Sequence, residues 1–387
     1  MVEVADIFRE YGDAYRQQHS LPLHTLKAMN AIEACRTARL GGHMYECSDC
    51  GHQKIAYNSC RNRHCPKCQN LSKEEWVESR KEDLLPIPYF HVVFTLPSEL
   101  HALALRNKKE VYGLLLKASA DTLQTLAADP KHLGAQIGFI SIVHTWGQNL
   151  MDHPHVHCIV TGGGLSPCQT QWIAAKGNYF LPVKVMSKLF RGKFLHGLKE
   201  LQAKENLYGI ENDSALNSLM SPLYQKDWVV YCKPPFAGPE HVLAYLGRYT
   251  HKIAISNQRI CSMQDGKVTF KYRDYRDGNK SKTLTLSACE FIRRYLLHIL
   301  PSRFVKIRHY GILSTRNKRR IQRCKKLFCL SNRAVRKPEK KETWSELLLR
   351  ITGEDPTICP ACKKGKMIEK RTVRPCSGAP PKSSDVA

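Results

Sequence analysis

Three groups of residues in this 387-residue sequence have the types and spacing to do chemistry. The first is a pair of Cys-x2-Cys units, Cys47-Ser-Asp-Cys50 and Cys65-Pro-Lys-Cys68, with 14 residues between them. Each unit can grip a metal from a tight turn, as Gly51 and Pro66 suggest. Four thiolates at about 2.3 Å complete the tetrahedral shell of a structural zinc. Zinc also supplies folding energy that so short a segment cannot draw from its own core. Five of the 16 cysteines fall between Cys47 and Cys68, so metal is a better reading than buried thiols. One zinc at Cys47, Cys50, Cys65 and Cys68 is therefore expected, with Cys60 and His64 left over as spares or ligands of a second ion. Cys359-Pro-Ala-Cys362 is a half ribbon that only Cys376 could join, and a metal there is not expected.

The second group is His153-Pro-His155-Val-His157, which runs into the apolar Cys158-Ile-Val160. In a strand, that alternation sends the imidazoles to one face, where two of them can grip one ion. Two imidazoles plus an oxygen donor suit Mg²⁺, Mn²⁺ or another divalent ion with open positions. Gln148 or Asp152 can provide the oxygen. The third group is Tyr245 and Tyr249, at i and i+4 on one helical face and about 6 Å apart at Cβ. A buried aromatic stripe explains that spacing, whereas the adjacent Arg248 and Lys252 point to phosphate; the two readings are evenly balanced.

The elements that must position these groups mix helix and strand. Helical periodicity covers residues 1 to about 40, and a charged helical segment, 72–85, leads to Pro86 and Pro88. Strands are expected at 89–95, 137–146 and 155–161, the last ended by Gly162-Gly163-Gly164, with a helix over 99–128. Helices follow at 184–205 and 213–223, then a strand at 228–232 and another helix carrying the tyrosines. Short strands at 252–256, 268–272 and 283–286 precede a helix at 288–299. No regular βαβ rhythm and no phosphate-cradling G-x-x-x-x-G-K-[ST] loop is present. The fold class is therefore α+β, an antiparallel sheet with packed helices. Three domains are expected: 1–85, a helix and zinc-ribbon module; 86–300, the sheet domain; and 301–387, a basic C-terminal region with a disordered tail.

With 60 Lys+Arg against 34 Asp+Glu, the net charge is +26, which points to a polyanionic partner, most commonly nucleic acid. Arg316, Lys318, Arg319, Arg320, Arg323, Lys325 and Lys326 put seven cations in eleven residues with no acid, as for a segment that binds DNA backbone. Arg61, Arg63 and Lys67 fit a zinc module that also touches DNA, with a purely structural ribbon almost as good a reading. No apolar run reaches the roughly 20 residues of a membrane helix, and the N-terminus is acidic where a signal peptide is basic. A soluble, cytoplasmic protein with no membrane partner is expected.

In combination these residues resemble a known family. His155-Val-His157 is similar to the His-hydrophobic-His motif of HUH single-strand endonucleases, and Tyr245-x3-Tyr249 to the paired tyrosines of their two-tyrosine branch. Phe94-Thr-Leu-Pro97 resembles that superfamily's first motif. The cysteine module, with its Tyr57-Asn-Ser-Cys-Arg-Asn-Arg-His-Cys-Pro66 run, resembles the zinc-binding domain of insertion-sequence-91-type rolling-circle transposases. The similarity runs from about Leu40 to Lys326 with the motifs in order.

The resemblance implies an HUH endonuclease core in which His155, His157 and a further polar side chain hold Mg²⁺ or Mn²⁺. Gln148 matches the placement of that third ligand, and His153 rivals it. It further implies that Tyr245 or Tyr249 attacks the scissile phosphate and forms a 5′-phosphotyrosine link, the other tyrosine serving a second strand. No nucleotide cofactor is then needed. The implied substrates are single-stranded or hairpin transposon ends and target DNA in a bacterial, nucleoid-associated setting. Strand separation would fall to a host helicase, the replication machinery or supercoiling, because no helicase motif is present. Two other readings are a rolling-circle replication initiator with the same chemistry and a non-catalytic zinc-ribbon DNA-binding protein.

Overall fold

The computed structural model describes residues 2–81, 84–178, 180–205, 207–236, 241, 242, 245, 247, 253–275, 277–328 and 343–376. Two helices, Val4–Gln18 and Leu23–Ala34, lead to strands β1 (Gly42–Cys47) and β2 (Gln53–Tyr57) and a helix, Pro66–Lys81. Pro22, at the cap of the second helix, divides what the periodicity reads as one helix. The middle of the chain holds β3 (Tyr89–Thr95), β4 (Gln136–Trp146), β5 (Asp152–Leu165), β6 (Trp172–Ala174) and β7 (Val230–Phe236). Between them run the helices Lys108–Ala128, Val183–Glu205 and Asp213–Gln225. A second meander follows, β8 (Ile260–Gln264), β9 (Lys267–Asp274) and β10 (Lys280–Ser287), then the helix Ala288–Leu297. Of the strand expected at 252–256, the described residues 253–256 form none, and β8 begins at Ile260.

Beyond residue 300, where the sequence reads as a basic region, two more strands form. These are β11 (Ile307–Gly311) and β12 (Met367–Val373). β11 joins the central antiparallel sheet, in the order β11-β4-β5-β3-β7 with β6 paired to β5. β12 instead pairs with β1, giving a separate sheet β12-β1-β2.

Strand alternation gives the central sheet two different faces. Phe90, Val92, Phe94, Phe139, Val143, Val156, Cys158 and Val160 point into the larger core, where the helices Lys108–Ala128 and Val183–Glu205 supply Tyr112, Leu115, Phe190 and Phe194. The opposite face carries Tyr89, Ile140, Ile142 and Ile159, covered by Val242, Tyr245, Ile321 and Cys324. His155 and His157 of β5 lie on this second face.

β5 runs through Gly162-Gly163-Gly164 instead of ending there, because neighbouring backbone crowds those positions. A Cβ on Gly162 would lie 2.7 Å from Pro88 O, and one on Gly164 would lie 2.4 Å from Gln136 O. Gly163 has φ +147° and approaches Ile173 O as closely. The glycines therefore let strands pack where any side chain would collide.

The N-terminal helices pack with the second meander and the helix Ala288–Leu297, where the Phe8 and Tyr295 rings meet edge-on at 5.4 Å. Arg63 fastens this body to the rest by donating to the carbonyls of Phe304 (2.5 Å) and Pro301 (2.6 Å). Among the described residues, no helix is long and apolar enough to cross a membrane.

His298 is buried between Thr145 Oγ1 (3.1 Å) and Leu150 O (3.0 Å), and burial pushes it from an ordinary 6.5 down to about 4. Its folded form refuses a proton that the unfolded chain accepts below about pH 6.5. Its contribution to stability is thus present above pH 6.5 and lost as pH falls towards 4. Urea midpoints should drop across that window, and His298→Gln should flatten the drop.

Candidate metal centres and nucleophile

Strand register builds the histidine cluster. Within β5, His155 and His157 are two residues apart and share a face. On β4, His144 stands directly opposite His155, which places a third imidazole on that face. The ligand-capable atoms of His144, His155 and His157 all lie within 4.8 Å of one another. His155 and His157 approach at 3.0 Å between their Nε2 atoms. His155 Nδ1 lies 2.6 Å from the carbonyl oxygen of His153, which orients the ring and leaves Nε2 for a metal.

Burial drives His155 down to about 4 and His157 well below the ordinary histidine value, with neighbouring histidines adding to both shifts. Neutral imidazoles at neutral pH are the form that binds metals. Together with His144 they form a three-imidazole donor set that fits a divalent ion.

Gln148, expected as the third ligand, is not in the group. Its Nε2 lies 3.2 Å from Tyr275 Oη, and its backbone carbonyl accepts from Arg259. The reason is topological: β4 ends at Trp146, so the Gln148 side chain has left the sheet face on which the histidines stand. Asp152 is also outside it, with its carboxylate 3.8 Å from His101 Nδ1 and pushed up to about 7 by burial. His153 contributes its carbonyl and not its ring.

Tyr245 is buried on the same sheet face, with its hydroxyl 2.8 Å from His91 Nε2 and 3.5 Å from His157 Nδ1. His91, on β3, in turn lies 2.8 Å from His157 Nδ1. One imidazole thus bridges the tyrosine and a member of the histidine cluster. Sequence reasoning missed His91, although a histidine inside the apolar strand Tyr89-Phe-His-Val-Val is a signal that a buried polar group there needs partners. Tyr249, Arg248 and Lys252 lie outside the described residues.

The cysteines group differently from their spacing. Cys65 and Cys68 join Cys35 and Cys60, while Cys47 and Cys50 join Cys359 and Cys362. The expectation of one site at Cys47, Cys50, Cys65 and Cys68 is therefore corrected to two four-cysteine clusters. β1 and β2 carry the first Cys-x2-Cys turn away from the second, which heads the helix Pro66–Lys81 against the N-terminal helices. In the buried cluster, Cys68 Sγ lies 3.5 Å from Cys35 Sγ and 3.6 Å from Cys60 Sγ. A tetrahedron with 2.3 Å metal–sulfur bonds has edges of about 3.8 Å, whereas a disulfide needs about 2.05 Å. The spacing fits structural zinc. His64 is not a ligand: Leu300 N donates to its Nε2 at 3.1 Å, and burial holds it down at about 3.

The basic run forms the helix Lys318–Leu327, preceded by a short turn that holds Arg316. Ile321 and Cys324 are buried against the face that carries Tyr245. Arg316, Lys318, Arg319, Arg323 and Lys326 are exposed, while Arg320 and Lys325 are half-buried. Arg323 donates to Gln169 O at 2.6 Å. In the zinc module, Lys67 pairs with Glu3 at 2.7 Å and Arg63 is committed to backbone carbonyls, so neither is a free cation for a ligand.

A family model described as "Putative transposase" matches residues 138–320, and another described as "Transposase zinc-binding domain" matches residues 7–96. "Putative transposase y4qJ" of Sinorhizobium fredii is 50% identical over 386 residues, covering 98% of this chain and 97% of the relative. The "Transposase for insertion sequence element IS801" of Pseudomonas savastanoi pv. phaseolicola is 29% identical over 341 residues, covering 87% of this chain and 81% of its own length. A solved structure of TrwC, complexed with a 27-mer DNA comprising the recognition hairpin and the cleavage site, aligns with 32% of this chain and 52% of its own at 15% identity and a TM-score of 0.23. The chain belongs to the insertion-sequence-91-type transposase family.

Proposed function

We propose that the protein cuts and rejoins single-stranded DNA for rolling-circle-type transposition, through a 5′-phosphotyrosine intermediate. The observation that carries this reading is the placement of Tyr245 beside the His144–His155–His157 cluster, with His91 bridging them. Tyr245 Oη loses its proton and forms a bond to phosphorus as the bond to the 3′ oxygen breaks, and the leaving oxygen takes up a proton to become a 3′-hydroxyl, so no net proton is gained or lost. The covalent link conserves the phosphodiester energy for rejoining. His91 holds the tyrosine hydroxyl in place. Tyr249 serves the second strand.

His144, His155 and His157 would hold the divalent ion, which supplies Lewis-acid charge at the scissile phosphate. An all-imidazole set favours Mn²⁺ over Mg²⁺, since Mg²⁺ prefers oxygen ligands and gives up water reluctantly. DNA is the partner, with the backbone held by the basic helix beside the Tyr245 face. The test is incubation with labelled single-stranded end DNA and Mn²⁺, followed by a denaturing gel. A covalent protein–DNA adduct is expected. A salt-sensitive mobility shift without any adduct would instead identify a binding protein.

Charge neutralisation checks the DNA path. Replacing the exposed Arg316, Lys318, Arg319 and Lys326 by glutamine should weaken binding to all sequences alike. The slope of log K against log salt should shrink by about 3, at roughly 0.7 per phosphate contact on single strands. An unchanged slope would move the path off this helix.

A further inference from the structure

Cys47 and Cys50 sit on the turn between β1 and β2, while Cys359 and Cys362 belong to a segment 309 residues further on. Even so, Cys47 Sγ lies 3.6 Å from Cys362 Sγ, and Cys50 Sγ lies 3.7 Å from Cys359 Sγ. Both distances are close to the roughly 3.8 Å edge of a tetrathiolate zinc shell and far from the length of a disulfide.

The backbone around the four sulfurs is shaped for the same purpose. Asp49 N donates to Cys47 Sγ and Gly365 N to Cys362 Sγ, each at 3.4 Å, so both turns aim an amide at a sulfur as if at a thiolate. Ser48 N donates to Lys366 O at 2.9 Å and Lys366 N to Ser48 Oγ at 3.0 Å, which locks one turn against the other. A Cβ on Gly365 would stand 2.5 Å from Cys47 Sγ, so only glycine lets that turn close over the first. Beyond the cysteines, β12 pairs with β1 from Gly42 to Cys47. Residues 343–376 lie outside both matched family regions, 7–96 and 138–320.

We propose that Cys47, Cys50, Cys359 and Cys362 form a second zinc site that clamps the C-terminal segment onto the N-terminal module. The zinc-binding module is then assembled from both sides of the catalytic domain, and its β-sheet is complete only with β12. The two sites differ in access. Cys35, Cys65 and Cys68 are buried in the first site, whereas in the second Cys50 is exposed and Cys362 half-buried. The second site should therefore give up its ion first.

Elemental analysis of the purified full-length chain should give two zinc ions per chain. Cys359→Ser/Cys362→Ser should give one, with the cluster of Cys35, Cys60, Cys65 and Cys68 still filled. One zinc in the wild type, or two in the double variant, would overturn the proposal. Native alkylation followed by peptide mapping needs no variant and covers the case in which the double variant fails to fold. Exposed Cys50 should resist alkylation along with Cys47, Cys359 and Cys362, while exposed Cys376 and Cys261 react. A brief chelator treatment should make all four reactive together, before Cys35, Cys60, Cys65 and Cys68. Cys50 and Cys362 reacting as readily as Cys376 without chelator would exclude a bound ion there.

Discussion

Tyr245→Phe combined with Tyr249→Phe is expected to remove covalent adduct formation altogether, a loss on the order of 10⁶-fold on the scale of nucleophile deletions. At Tyr245, phenylalanine keeps the ring in the same buried cluster as Val242 and Ile142 and removes only the oxygen. The lost hydrogen bond to His91 should cost about 1 kcal/mol of stability. The double variant should therefore fold, keep its zinc and shift DNA at wild-type salt dependence. Protease digestion of the wild-type adduct should leave the nucleotide on a peptide containing Tyr245 or Tyr249. Nucleotide found on the exposed Tyr231 or Tyr275 would overturn the assignment.

A contrast of similar size separates two candidate ligands. His144→Ala should reduce Mn²⁺ affinity and cleavage by at least about 100-fold, because even residues that only support a ligand cost 10–100-fold. Gln148→Ala should stay close to wild type, since its amide contacts Tyr275 and not the histidines. Mn²⁺ titration by calorimetry reads the binding, and the adduct gel reads the chemistry. Equal losses in both variants would mean that the site rearranges around Gln148 when it binds metal. DNA binding should survive in both, because it rests on Lys and Arg contacts to phosphate.

The parts of this site that were legible in the sequence are the local ones. Alternation in His155-Val-His157 is visible within three residues, and the apolar run Tyr89–Thr95 marks its own strand ends. What pairs across the chain was not legible. His144 becomes a cluster member only because β4 and β5 pair with His144 opposite His155, and no spacing rule encodes that register. His91 was hidden for the same reason, since it meets Tyr245 across 154 residues. The cysteines show a sharper version of the problem. Two Cys-x2-Cys units 14 residues apart look like partners, yet each is completed by other cysteines, Cys35 and Cys60 for one and Cys359 and Cys362 for the other. Glycine misled in the opposite direction: read locally, Gly162-Gly163-Gly164 stops a strand, whereas close packing of Pro88, Gln136 and Ile173 requires it within one.

The sheet β12-β1-β2 also sets an order of events during synthesis. β2 emerges within a few residues of β1, but the strand opposite Cys47 on the other edge is made 320 residues later. At roughly 5–20 residues per second, β1 waits on the order of 15–60 s with one edge unpaired and two thiols of a half-made site facing solvent. Over that interval the central sheet, whose outer strand β11 precedes β12, can close first. A polypeptide interrupted between residues 250 and 358 would carry the histidines and tyrosines in full, yet never zip its first strand shut.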